Sequence, residues 1–300
     1  MMRRAGPLLI AVLWTARFAV AQESFDTVYA PPALPSEQDG INRGGVHLDF
    51  AVTYLTDYVF RGVEIFEVGG SEDRLNLQLD TKVSFDLGKL PHPFVNVFVN
   101  IAEDDPISDF QEIRPVVGFD WLIKPILFSF GHINYLYPDR DAQETSEIFV
   151  QIGLDENSLF RGRPVPTPYV FAAYDYDLYE GLYLEGGVRY RMPFEDLGLT
   201  LTAIGKVAYV NSYNAVITGE TGLLLPGVFT NEDTEGDDVS GFQRFEIGLI
   251  GEYSLNRLFK VSTRYGDWSV AGYVFYTDSI ENDIRVDTQI WGGAGLTFHY

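Results

Sequence analysis

Ionisable residues in this chain recur at alternate positions, and they recur in both signs. Arg74, Asp80 and Lys82 share one side of a segment whose other side is Leu75, Leu77, Leu79 and Val83. Glu112, Arg114 and Asp120 repeat the pattern, as do Glu185, Arg189 and Arg191, and then Arg244, Glu246 and Glu252. A period of two is the period of a strand, so each set lies on one face of a sheet. Asp49, Asp57, Arg61, Glu147, Lys206, Lys260, Arg264, Arg285 and Asp287 extend the same face, on which acids and bases nearly cancel. The chemistry open to such a face is ion pairing and contact with polar solutes. Crosswise Arg–carboxylate pairs would shape a narrow polar channel. Equally, any polar interior needs its groups satisfied, whether or not anything passes.

Bond-breaking chemistry finds little support. There are four His (His47, His92, His132 and His299) and no Cys, which removes disulfides, thiolate metal sites and cysteine nucleophiles together. His132 and Asn134 lie near Ser129, the residue types of a hydrolase that activates a serine with imidazole. Alternation, however, puts Ser129 and His132 on opposite faces of one strand. Carboxylates are abundant but unpatterned, and there is no glycine-rich phosphate loop or metal-ligand spacing. Asp233–Asp238 lacks the later bidentate Glu of a calcium loop. We expect no enzyme, no metal site and no cofactor.

The net charge is −22, and three units more negative once Arg3, Arg4 and Arg17 are removed. With the strand faces nearly neutral, the excess lies between them, in Glu103, Asp104 and Asp105 and in Glu232, Asp233, Glu235, Asp237 and Asp238. An acidic rim of this kind concentrates cations, repels anions and weakens at high salt. It also suits divalent ions that bridge lipopolysaccharide phosphates, or mere solvation of loops. So acidic a surface argues against nucleic acid.

The elements that must carry these faces are long. Reading back from Tyr300, apolar, small or Thr residues fall at every second place through Phe298, Leu296, Ala294, Gly292 and Ile290 to Ile284, some seventeen residues in step. That is about twice an ordinary soluble strand. It fits one face in lipid and the other in a wet interior. About twelve strands are expected, near 46–60, 74–85, 93–103, 110–122, 125–137, 145–154, 167–177, 180–192, 197–211, 241–254, 258–277 and 284–300, with ten to fourteen open. Tyr54, Tyr58, Tyr135, Tyr137, Tyr174 and Tyr176 are expected in an outer aromatic belt, and Phe119, Trp121, Phe298 and Tyr300 in an inner one. Pro115 falls inside a strand, where it removes a ladder donor. The longest connection, 212–240, joins the apolar run Leu223–Phe229 to the acidic tail, and we expect it to fold into the barrel mouth or pack on a loop or partner.

Before the strands, Arg3 and Arg4, the apolar run Leu8–Trp14 and Ala19-Val20-Ala21 read as a cleaved Sec signal over residues 1–21. A Pro-rich leader over 22–43 follows, then the barrel over 44–300. The expected architecture is an all-β, transmembrane, antiparallel up-and-down barrel in a Gram-negative outer membrane. Phe298 and Tyr300 would be its insertion signal, read by barrel-insertion machinery, and its surroundings outer-membrane lipid and lipopolysaccharide.

Thr56-Asp57-Tyr58-Val59-Phe60-Arg61-Gly62 resembles the early S/T-D-Y-x-F-R-G segment of the TorF family of porins. Fainter echoes are Tyr137-Pro138, Glu147–Val150 and the aromatic ending. The resemblance implies a signal-bearing barrel that conducts small hydrophilic solutes. Independently of it, Asp57 and Arg61 are expected on the lumen face near the outer end of strand one, with Tyr58 and Phe60 towards lipid and Gly62 releasing the chain into a loop. A passive channel favouring cations is one reading. The other is a closed structural or adhesive barrel whose loops bind ions, envelope polymer or a partner. Oligomeric state is not legible.

Overall fold

A computed structural model describes residues 45–64, 76–102, 112–138, 144–155, 164–214, 229–230, 238–281, 284–285 and 288–300. Twelve strands close into one antiparallel barrel. They are β1 (Val46–Leu55), β2 (Asn76–Phe85), β3 (His92–Ala102), β4 (Glu112–Ile123), β5 (Ile126–Tyr135), β6 (Thr145–Leu154), β7 (Thr167–Asp175), β8 (Leu182–Phe194), β9 (Leu199–Asn214), β10 (Asp238–Ser254), β11 (Asp267–Ser279) and β12 (Gln289–His299). Each pairs with the next in sequence. β1 meets β12 in the register Asp49↔His299 to Leu55↔Gly293, so the barrel sheet closes without a free edge.

The two faces sort as the alternation requires. On β2, Asn76, Gln78, Asp80, Lys82 and Ser84 are all buried, pointing inward. On β3, Val95 and Val97 are exposed on the outside while Phe94, Asn96, Phe98 and Asn100 are buried within. Val117, Ile148, Val170, Ile247 and Ile290 continue the exposed apolar face around the wall. Val46 and Tyr300 lie at one end of the barrel, here the Tyr300 end; the other is the far end.

Strand boundaries differ from expectation in two places. Residues 258–277 are not one strand: helix α1 (Leu255–Phe259) and a 3₁₀ turn (Thr263–Tyr265) precede β11. Ser254 and Ser262 cap these turns through their hydroxyls, so local side-chain hydrogen bonds win over the ladder there. The last strand is eleven residues long, and Ile284 and Arg285 pair instead with Phe229 and Thr230 outside the barrel. Pro115 is accommodated where the β4–β5 ladder skips: Ile113 pairs with Leu136, Val116 with Ile133, and nothing pairs between.

Gly248 on β10 marks a close approach. A Cβ there would lie 2.0 Å from the Phe275 ring, which stacks on Trp291 at 4.9 Å. Gly248→Ala is therefore expected to cost about 1–3 kcal/mol through overpacking. The check is a lowered urea midpoint for loss of the folded, heat-modifiable band.

Candidate functional site: the barrel lumen

The lumen differs along its length. At the Tyr300 end lies a cavity of about 220 Å³, lined among others by Asp80, Lys82, Asn96, Arg189, Glu252 and His299. Towards the far end the described side chains form a buried cluster, which begins with the first connection.

After Leu55 the chain does not continue up the wall. It turns inward, and Val59–Phe60 pairs with Val63–Glu64 as a small hairpin separate from the barrel sheet. Its two-residue loop is Arg61-Gly62, with φ of 50° and 81°, the doubly positive backbone that a type I′ turn demands. Gly62 adopts this freely; Arg61 does so against its preference. What holds it is Glu147 on β6: the guanidinium donates to both carboxylate oxygens at 2.7 Å. Tyr135 donates to the same carboxylate at 2.8 Å, and the Arg61 guanidinium lies 4.1 Å from the Tyr183 ring centre. Such a bidentate, charge-assisted pair in a dry setting is the strong form of the interaction.

Around the hairpin the lumen is aromatic. Tyr58, Phe60, Phe94, Phe98, Phe149 and Phe171 are buried together with Val116 and Ile133. Arg114, with its side chain 1 % exposed, places its guanidinium 4.4 Å from Phe98 and 4.5 Å from Phe60 and pairs with Glu112. Tyr58 donates to that Glu112 at 2.5 Å. The connection between β7 and β8 adds to the packing: Asp175 accepts from the backbone of Asp177, Leu178 and Tyr179, seating the Tyr179 ring inside. Burial pushes the Tyr179 phenol well above its ordinary range, so it stays neutral.

Two further ionic groups line the wall. Lys206 bridges Glu246 at 2.8 Å and Glu185 at 3.9 Å, while Arg244 reaches the same two at 3.4 and 3.2 Å. Tyr169 and Tyr183 donate to Glu185, and Thr277, itself bonded by Trp291, donates to Glu246. Lys82 pairs with Asp120 at 2.8 Å, and Asn96 donates to Asp80. Charges of both signs are thus interleaved across neighbouring strands, where the low dielectric strengthens each contact.

The sequence-predicted residues divide accordingly. Asp80, Lys82, Glu112, Arg114, Glu147, Glu185 and Glu246 are buried on the inward face, and Arg189 stands over Tyr169 beside the cavity. Asp49 bonds His299 at 2.8 Å at the Tyr300 end, where Arg191 is exposed. Arg264 is not on the lumen face; it sits exposed in the 3₁₀ turn, and Lys260 caps α1, because that segment is not strand. Arg61 is inside but off the wall, and it pairs with Glu147 on another strand. Arg74, Asp287, Glu103, Asp104, Asp105, Glu232, Asp233, Glu235 and Asp237 lie outside the described residues, as do residues 1–44 and the Leu223–Val228 run. Of Asp238 and Arg285 only the backbone is described.

Three of the expected belt tyrosines are corrected. Tyr54, Tyr174 and Tyr176 are exposed on the outside, whereas Tyr58, Tyr135 and Tyr137 are buried in the lumen. Tyr135 shares the parity of inward Ser129 and Ile133; Tyr58 follows the chain inward, and with it Phe60, which does not face lipid. Ser129 and His132 do lie on opposite faces, His132 within 2.5 Å of the Tyr176 hydroxyl. Sequence reasoning missed the aromatic packing, although Phe94-Val95-Asn96-Val97-Phe98-Val99-Asn100 carries its signature: an all-Val outer face against alternating Phe and Asn within.

No family model matches the chain, and no curated protein matches it. Among solved structures, it is similar to the NanC porin at 10 % identity, covering 84 % of this chain and 98 % of that one with a TM-score of 0.44. It is also similar to the translocator domain of the autotransporter NalP from Neisseria meningitidis, at 11 % identity, 97 % and 95 % coverage and a TM-score of 0.43. A porin of Rh. blastica follows at 11 % identity, 85 % and 98 % coverage and a TM-score of 0.29. The architecture stands on this chain's own closed ladder of twelve antiparallel strands.

Proposed function

We propose that this protein is an outer-membrane barrel of the porin kind, a channel for small hydrophilic solutes whose far half is closed by the Tyr58–Glu64 hairpin until that hairpin moves. The observation that carries the reading is the Arg61–Glu147 latch: a bidentate contact at the tip of a strained turn anchors a short, separately paired hairpin inside the barrel. An apolar outer face, inward polar and charged residues interleaved with aromatic ones, and the cavity at the Tyr300 end support the same reading. The likeness of Thr56–Gly62 to the TorF segment acquires a physical sense here, since those residues form the inward turn. Export would use the signal over residues 1–21.

The solutes favoured are cations, drawn by the acidic connections at Glu103–Asp105 and Glu232–Asp238. A protein reconstituted in planar bilayers under a KCl gradient is expected to give ohmic steps whose reversal potential has the sign of K⁺ selectivity, fading at high salt. Anion selectivity would overturn the acidic-rim argument. The second reading, a closed structural or adhesive barrel, is favoured by the buried aromatic cluster that surrounds the hairpin. Silence across all salts, for the native protein and for a variant lacking the hairpin, would decide for it.

A further inference from the structure

The connection between β10 and β11 is unlike the rest of this acidic chain. From Leu255 to Tyr265 it reads Leu-Asn-Arg-Leu-Phe-Lys-Val-Ser-Thr-Arg-Tyr, with three cations and no acid. It is also built rather than loose. Asn256, 5 % exposed, donates to the Gly266 carbonyl at 2.8 Å and accepts from the Trp268 amide at 2.5 Å, clamping α1 onto the start of β11. Arg257 is committed to the carbonyls of Glu195 and Asp196 in the neighbouring turn.

That scaffold leaves four large apolar side chains in the open: Leu258 at 53 %, Phe259 at 68 %, Val261 at 46 % and Tyr265 at 61 % exposure. Such a patch is costly in water. It runs directly into the outward face of the barrel through Trp268, whose ring lies 4.5 Å from Phe298. Among it stand Lys260 and Arg264, both exposed and without an ion partner among the described residues. Lys124 and Lys89 occupy other turns of the same end, which also holds Asp86, Glu195, Asp196 and Asp267, while the long acidic runs lie in the far-end connections.

We propose that the 255–265 ridge is a lipid-binding foot, taking an anionic glycerophospholipid of the leaflet at the Tyr300 end. Leu258, Phe259 and Tyr265 enter the acyl boundary, and Lys260 and Arg264 hold the phosphate. Aromatic and aliphatic residues flanked by snorkelling cations are what the membrane interface selects. Lipid of this charge complements the ridge and is repelled by the opposite end of the molecule. The inference rests on the membrane reading above.

Native mass spectrometry of the full chain, released from mixed micelles holding equal phosphatidylglycerol and phosphatidylcholine, tests it. The native protein is expected to retain phosphatidylglycerol about tenfold over phosphatidylcholine, given the worth of cations near an anionic surface. Lys260→Gln/Arg264→Gln is expected to bring the ratio to parity, and Leu258→Ser/Phe259→Ser to lower retention of both lipids. Equal retention by the native protein, or an unchanged ratio in the Lys/Arg variant, overturns the foot and leaves the membrane reading standing. Retention of neither lipid, with failure to float with liposomes, overturns both.

Discussion

Arg61→Ala is expected to convert a barrel that conducts little into one with frequent, long-lived conductance steps in planar bilayers. Arg61 and Glu147 are both buried, and the Tyr135 hydroxyl also donates to the carboxylate. With the guanidinium gone and the hairpin still inside, Glu147 is a buried charge without its counter-ion, a state costing about 3–5 kcal/mol. The molecule lowers that cost by opening the hairpin more often. Besides Arg61, the hairpin is held by the Tyr58–Glu112 hydrogen bond and the burial of Val59 and Phe60, and among the described residues it has no ladder to the barrel wall. Release also frees position 61 from its left-handed backbone and admits water to Glu147. Glu147→Gln, which keeps one accepting oxygen, is expected to give briefer openings. A folded but silent Arg61→Ala barrel would sink the latch.

Removing a second buried cation, Arg114, has a different result, because it stands on the wall itself. Its guanidinium lies among Phe60, Phe98, Tyr135 and Tyr58, paired with Glu112. Arg114→Met strands the Glu112 charge among rings and is expected to destabilise the barrel by about 3–5 kcal/mol. Glu112→Gln/Arg114→Met, which removes both charges and keeps the volume, is expected to recover most of that loss. Urea unfolding of the two variants and of Glu112→Gln closes the cycle. If the two single costs simply add, the pair is not the coupled unit described.

The latch and the wall pairs also show why the sequence was readable in one respect and opaque in another. Alternation made the inward set on β2 and β4 visible, since burial follows parity once a strand is granted. It failed at Tyr58 and Phe60 because parity has meaning only while the chain stays in the ladder, and after Leu55 it does not. It failed at Lys260 and Arg264 for the same reason: two serine-capped turns interrupt what reads as an alternating segment. Tyr135 was legible in principle, sharing the parity of Ser129 and Ile133. The preference for aromatics in belts pulled the assignment the wrong way.

The residues by themselves determined the class of molecule. A period of two sustained over a dozen segments, both signs of charge on one face and aliphatic residues on the other leave a closed antiparallel barrel as the arrangement that satisfies every backbone group. What only the tertiary structure decided is whether the tube is clear. Glu147 follows Arg61 by 86 positions, and no local rule pairs them. The pairing exists because closing the barrel brings β6 opposite the first turn, where the Arg61 guanidinium meets the buried Glu147 carboxylate.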